Sequence, residues 1–183
     1  VAVLTLDQFY PKFVEISKEY AIPKLIITSI GDALPPIKRL GYKLTLGRKI
    51  AKVPETDKNV IMWNDLMKLG DSYNQNYEVK RKATDAAVIL YSGGTSGKTK
   101  GILLSNRNFN ALSVQTIAMD THFKPGDRVL SVMPIFHGFG LGISIHTFLT
   151  QGGECILVPR FNAQTYAELL RKQQPNYIAG VPT

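Results

Sequence analysis

Tyr91-Ser92-Gly93-Gly94-Thr95-Ser96-Gly97-Lys98-Thr99-Lys100-Gly101 packs glycine, hydroxyl and ammonium groups at a density that neither a core nor an ordinary turn requires. The apolar run Ala86-Ala87-Val88-Ile89-Leu90 precedes it and reads as a buried strand. A strand ending in such a loop offers backbone N–H groups, hydroxyls and cations to one point. Its glycines can take positive φ and bring the backbone close to a ligand. Those donors suit the oxygens of a polyphosphate. The stretch 91–101, with Ser92, Gly93, Gly94, Thr95, Ser96, Gly97 and the lysines Lys98 and Lys100, is therefore read as a nucleotide-phosphate cradle.

Spacing separates two kinds of cradle. A Walker-type loop needs a glycine five residues before its Gly-Lys-Thr, and a helix directly after. Here Ser92 holds that position, and Gly93 is one residue too close. Gly101-Ile102-Leu103-Leu104 then reads as a return strand, with Ser105 or Asn106 capping a helix beyond it.

That order resembles the AMP-forming adenylating enzymes, which include acyl-CoA synthetases, luciferases and peptide-synthetase adenylation domains. Their signature loop is matched at Ser92, Gly93, Gly94, Thr95, Ser96, Gly97, Lys100 and Gly101; Thr99 stands where that family prefers proline. A second block, Met133-Pro134-Ile135-Phe136-His137-Gly138-Phe139-Gly140-Leu141, is similar to the Pro-x-Phe-His stretch of the acyl- and aryl-CoA synthetase branch. The closing Tyr177-Ile178-Ala179-Gly180-Val181-Pro182-Thr183 resembles the strand end that follows there.

The resemblance implies a two-step reaction. A carboxylate attacks the α-phosphorus of ATP to give an acyl-adenylate and pyrophosphate, and coenzyme A then captures the acyl group. ATP, Mg²⁺ and coenzyme A are the implied cofactors and co-substrate, and the acid is expected to be fatty from the wording of 1–60. Lys100 would supply the phosphate- or loop-anchoring charge, and Lys98 would face solvent. His137 would line the acyl entrance within 133–141 and position the reacting carboxylate rather than act as a base. Phe136, Phe139 and Leu141 could wall an apolar pocket or belong to the core. The family's magnesium-holding acid, ribose-binding Asp and C-terminal catalytic Lys have no counterpart here. The whole of 1–183 is thus expected to be one partial AMP-binding domain, without the C-terminal mobile domain and inactive alone. Two other readings stay open: a non-catalytic nucleotide-binding or scaffold module of the same fold, and a P-loop-like NTPase.

Composition bounds the rest. The 183 residues could bury a sizeable core, and the absence of an initiator methionine suggests an excerpt of a longer protein. No apolar run reaches the length of a membrane span. The single Cys155 excludes an internal disulfide framework, fits a reducing, cytoplasmic setting, and reads as a small filler in the strand 154–158. The net charge of +8 is shared equally by the two halves about Tyr91, with no aromatic interleaving, so nucleic acid is not an expected partner. One cluster stands out: Lys38, Arg39, Lys43, Arg48, Lys49 and Lys52, with no acid between Asp32 and Glu55. It is a solvated face, a contact with coenzyme A phosphates, or a peripheral contact with an anionic membrane.

Patterning predicts a helix over 6–20, a strand at 25–28, an irregular 32–58 with a short helix before Leu44, and a short helix at 64–69. Further on it predicts a strand at 129–133, an apolar helix over 140–149, strands at 154–158 and 177–181, and a helix at 163–173. Alternation of this kind belongs to the α/β class, a parallel-rich sheet covered by helices. Blocks 92–101 and 134–140 both follow strands and could share one sheet edge. His122 and His146 match no motif and are read as structural.

Overall fold

The computed structural model describes residues 2–54, 57–93, 97, 99–119 and 122–181. The chain forms two compact units, 1–78 and 79–183.

In the first unit three parallel strands pair in sequence order: β1 (Ala2–Leu6), β2 (Lys24–Thr28) and β3 (Val60–Met62). The central β2 buries Leu25 and Ile27, which close a small core with Tyr10 from helix α1 (Tyr10–Ile16). Val3, Phe13, Ile22, Val53 and Val60 pack around them. The helix expected over 6–20 is shorter. Leu6 ends β1, Asp7–Phe9 is a single 3-10 turn, and Pro11 sits in the first turn of α1. Proline tolerates that place because its missing N–H would be unpaired there anyway. Tyr10, not Phe9, Ile16 or Tyr20, reaches the core; those three are exposed.

Segment 32–58 is more regular than its composition suggests. Ser29 caps a 3-10 turn at Ile30–Ala33, its Oγ accepting from the Gly31 N–H at 3.3 Å while Asp32 Oδ2 accepts from the Ser29 N–H at 2.8 Å. Helix α2 (Pro36–Leu44) follows, then a 3-10 turn at Leu46–Lys49. Helix α3 (Trp63–Asp71) completes this unit.

The second unit opens with an antiparallel ribbon, β4 (Ala86–Ser92) against β5 (Lys100–Ser105). Ser105 caps helix α4 (Asn106–Ala118): its Oγ accepts from the Asn108 N–H, and Asn108 Oδ1 accepts from the Ser105 N–H. Such a reciprocal box satisfies two donors that a helix start leaves free. Next comes β6 (Arg128–Ser131), the centre of a parallel sheet ordered β7-β6-β8, with β7 at Glu154–Leu157 and β8 at Tyr177–Ala179. Val129 and Leu130 are fully enclosed, as strands covered on both faces require. Phe148 and Tyr177 meet edge-on at 5.3 Å beside them. Helix α6 (Ala163–Gln173) leads to β8 after Gln174 adopts φ 45°.

The expected helix after the second block is present, but Gly140–Thr147 is wound as a π-helix that passes into a short α5 (Phe148–Thr150). Thr147 Oγ1 donates to the Gly142 carbonyl at 2.9 Å, a five-residue reach that the wider turn allows. Gly152, at φ 80°, ends the element in the left-handed region that glycine favours. The α/β, parallel-rich expectation therefore holds, with the parallel strands divided between two sheets. Blocks 92–101 and 134–140 do not share a sheet edge, because β4 pairs with β5 and β6 pairs with β7 and β8.

Candidate functional site

The ribbon builds the loop. Ser92 and Lys100 are register partners at its open end, and Tyr91 opposes Gly101 one step inward. Gly97 has φ 74°, and among the described residues an added Cβ at Gly93 or Gly97 would meet nothing within 4 Å. Open space beside backbone amides is what a bound anion requires. Gly101 has a different role. A Cβ there would stand 3.1 Å from Ile89 Cγ2 and 3.4 Å from the Tyr91 ring, so its bareness lets those side chains lie across the ribbon. Lys100 is exposed on the first position of β5, at the mouth of the loop. Gly94, Thr95, Ser96 and Lys98 lie outside the described residues.

The second block meets this ribbon. A Cβ on Gly138 would stand 3.4 Å from Leu90 Cδ1, two residues before Ser92. His137 is exposed in the tight turn that precedes the π-helix. Its backbone N–H donates to the Pro134 carbonyl at 3.0 Å, and its Nδ1 accepts from the Phe139 N–H at 3.2 Å. An Nδ1 that accepts leaves the neutral ring's proton on Nε2, making that nitrogen the donor. Phe136 is 79% exposed, so it is not a core residue.

Other parts of the chain fit a nucleotide less well. A cavity of about 640 Å³ lies in the first unit, away from both sequence blocks. Among the described residues its charged lining is Asp7, Asp57 and Asp65 against Lys52, a field that disfavours phosphate. Among the described residues no three His, Cys, Asp or Glu side chains come together as a metal site. His146 is structural, its Nε2 3.1 Å from Asn110 Oδ1 and its ring edge-on to Phe109. Cys155 donates its S–H to the Ser144 carbonyl at 3.2 Å, and burial, with Glu154 second, raises its pKa. Among the described residues no helix is long and apolar enough to cross a membrane.

An α/β chain with this ribbon, loop and parallel sheet has the fold of the N-terminal domain of adenylate-forming enzymes. The chain belongs to the AMP-binding enzyme family, whose model matches residues 13–183. It is 29% identical over 182 residues to a long-chain-fatty-acid–CoA ligase of Bacillus subtilis, covering 99% of this chain and 32% of that protein. It is 27% identical over 176 residues to a probable 4-coumarate–CoA ligase 3 of Dictyostelium discoideum, covering 92% of this chain and 31% of that one. The crystal structure of the long-chain-fatty-acid–CoA ligase FadD1 from Archaeoglobus fulgidus superposes with a TM-score of 0.68 at 23% identity, over 97% of this chain and 29% of that one. The chain thus spans about a third of the length of the curated relatives it matches.

Proposed function

We propose that this chain is the ATP-handling segment of an AMP-forming carboxylate–CoA ligase, and that all of 1–183 belongs to its large AMP-binding domain. One observation carries the reading: the loop closed by Ser92 and Lys100 and the His137 turn converge, through Leu90 and Gly138, on the same ribbon. The loop's amides, Ser92 and Lys100 hold the polyphosphate. His137 donates from Nε2 to the carboxylate and orients it. A carboxylate oxygen bonds to the α-phosphorus, the bond from that phosphorus to the bridging oxygen breaks, and pyrophosphate leaves. The thiol sulfur of coenzyme A then attacks the acyl carbon; AMP departs and the thiol proton is released. Two anions approach in the first step, so cationic and N–H donors fixed beforehand lower its barrier. Coenzyme A as the acyl acceptor is supported by the likeness to CoA ligases.

A fatty acid is the favoured substrate, supported by the wording of 1–60 and by the Bacillus relative; the Dictyostelium relative makes an aryl acid the competitor. The NTPase reading is less well supported, because β5 rather than a helix follows the loop. The test is carboxylate-dependent ATP–pyrophosphate exchange by the intact parent, with short, long and aryl acids, and the 183-residue chain run beside it. Exchange with long acids alone supports the fatty reading, and exchange with aryl acids alone replaces it. Absence of exchange with every acid, in a folded parent that binds ATP, overturns the ligase.

A further inference from the structure

We propose that helix α2 is an interfacial anchor that seats the protein on an anionic lipid surface. The helix is fastened to the body by its polar side. The Tyr42 ring covers Gly31, where a Cβ would stand 3.2 Å from Tyr42 Cδ1. Arg39 donates from Nε to the Gly31 carbonyl at 2.9 Å and from Nη2 to the Asp32 carbonyl at 3.0 Å.

The apolar side faces away. At about 100° per residue, Ile37, Leu40, Gly41 and Leu44 share one arc of about 100°, with Tyr42 nearly opposite. Ile37, Leu40 and Leu44 are 87%, 60% and 51% exposed, and Leu46 in the next turn is 63% exposed. An ordinary surface helix buries such a stripe; this one presents it.

The charges choose the occupant. Lys38 and Lys43 stand on the two borders of the stripe, and Arg48 and Lys49 follow at its C-terminal end. The sequence holds no acid from 33 to 54, and among the described residues no carboxylate lies within ion-pair distance of these four cations. Lysines bordering an apolar stripe can lay their stems along acyl chains and keep their ammonium groups among anionic headgroups. An apolar groove on another protein satisfies the leucines but not this field. The inference is independent of the ligase reading, since it uses no residue of the loop or of the His137 turn.

The test is co-sedimentation of the full-length protein with vesicles of phosphatidylcholine, and of phosphatidylcholine mixed with phosphatidylglycerol. Wild type, Ile37→Ser/Leu40→Ser and Lys38→Glu/Lys43→Glu are compared, with melting curves beside them. The expected result is binding to the mixed vesicles that weakens with salt and falls more than about tenfold in each double variant, at unchanged melting temperature. No binding, or equal binding to both vesicle types, overturns the proposal. So do variants that lower the melting temperature, since that assigns the stripe to a covering segment of the same chain.

Discussion

Gly140 and Pro134 touch so closely that a Cβ on residue 140 would stand 2.1 Å from the Pro134 carbonyl oxygen. Both partners are backbone, so no rotamer change can relieve the clash. The contact folds the His137 turn back against the first residue of the π-helix. Gly140→Ala should therefore cost about 3 kcal/mol or more of stability. Gly93→Ala, in open space, should cost little. Urea unfolding of the two variants checks the contrast, and equal midpoints would refute it.

Lys100 stands at the loop mouth, opposite Ser92. Its ammonium on a phosphate forms a charge-assisted bond, so Lys100→Ala should weaken ATP handling about tenfold to a hundredfold. The exposed side chain makes no packing contribution that the fold depends on, so the melting temperature should stay in place. ATP titration and exchange kinetics of the parent read the first effect; a large melting shift would recast Lys100 as structural.

Tyr10 donates from its hydroxyl to Asp57 Oδ2 at 3.0 Å, joining α1 to the start of the turn before β3. Burial first, and Asp57 second, raise its pKa above 10.0. A raised folded-state pKa gives stability that is fully present below the unfolded value and lost as pH climbs through the folded one. Stability should thus fall once pH passes about 10, and Tyr10→Phe should flatten that fall while lowering stability at neutral pH. Unfolding curves across alkaline pH decide it; a variant with an undiminished slope would exclude Tyr10 as the source.

Cys155 is half-buried with its S–H turned to the Ser144 carbonyl, and its raised pKa makes thiolate scarcer than in an open chain. Alkylation by iodoacetamide at neutral pH should run slower in the folded protein than in urea. Faster labelling in the folded state would mark an activated thiol instead.

Local signals were legible where they were self-contained. The ribbon and its capped helix follow from apolar runs, glycines and Ser105 in sequence order, and 163–173 follows from its helical period and end signals. Ala2–Leu6 and Val60–Met62 were not legible, because they become strands by pairing with Lys24–Thr28. The π-winding of 140–147 was also hidden. It accompanies the Gly142 backbone lying where a Cβ would be 2.6 Å from Leu112 Cδ2, and the reach of Thr147 back to Gly142. In the candidate site the residue types could be read, but not their meeting point. Nothing in the order of residues places Gly138 against Leu90. The charge of 38–52 was plain, whereas the outward aim of Ile37, Leu40 and Leu44 came from Tyr42 and Arg39 fixing the other side.

A ribbon two strands wide is marginal by itself in water, and this one leaves Ile89, Tyr91 and Leu103 uncovered on one face. A phosphate group bridging the loop amides and Lys100 would clamp its open end in register. Strand pairing and nucleotide affinity then form one coupled equilibrium, each strengthening the other by the same factor. A peptide of 86–105 cut away from its surroundings should consequently bind ATP no better than a scrambled one. On the proposed reading the receptor is the register, and it cannot be carried off with the motif.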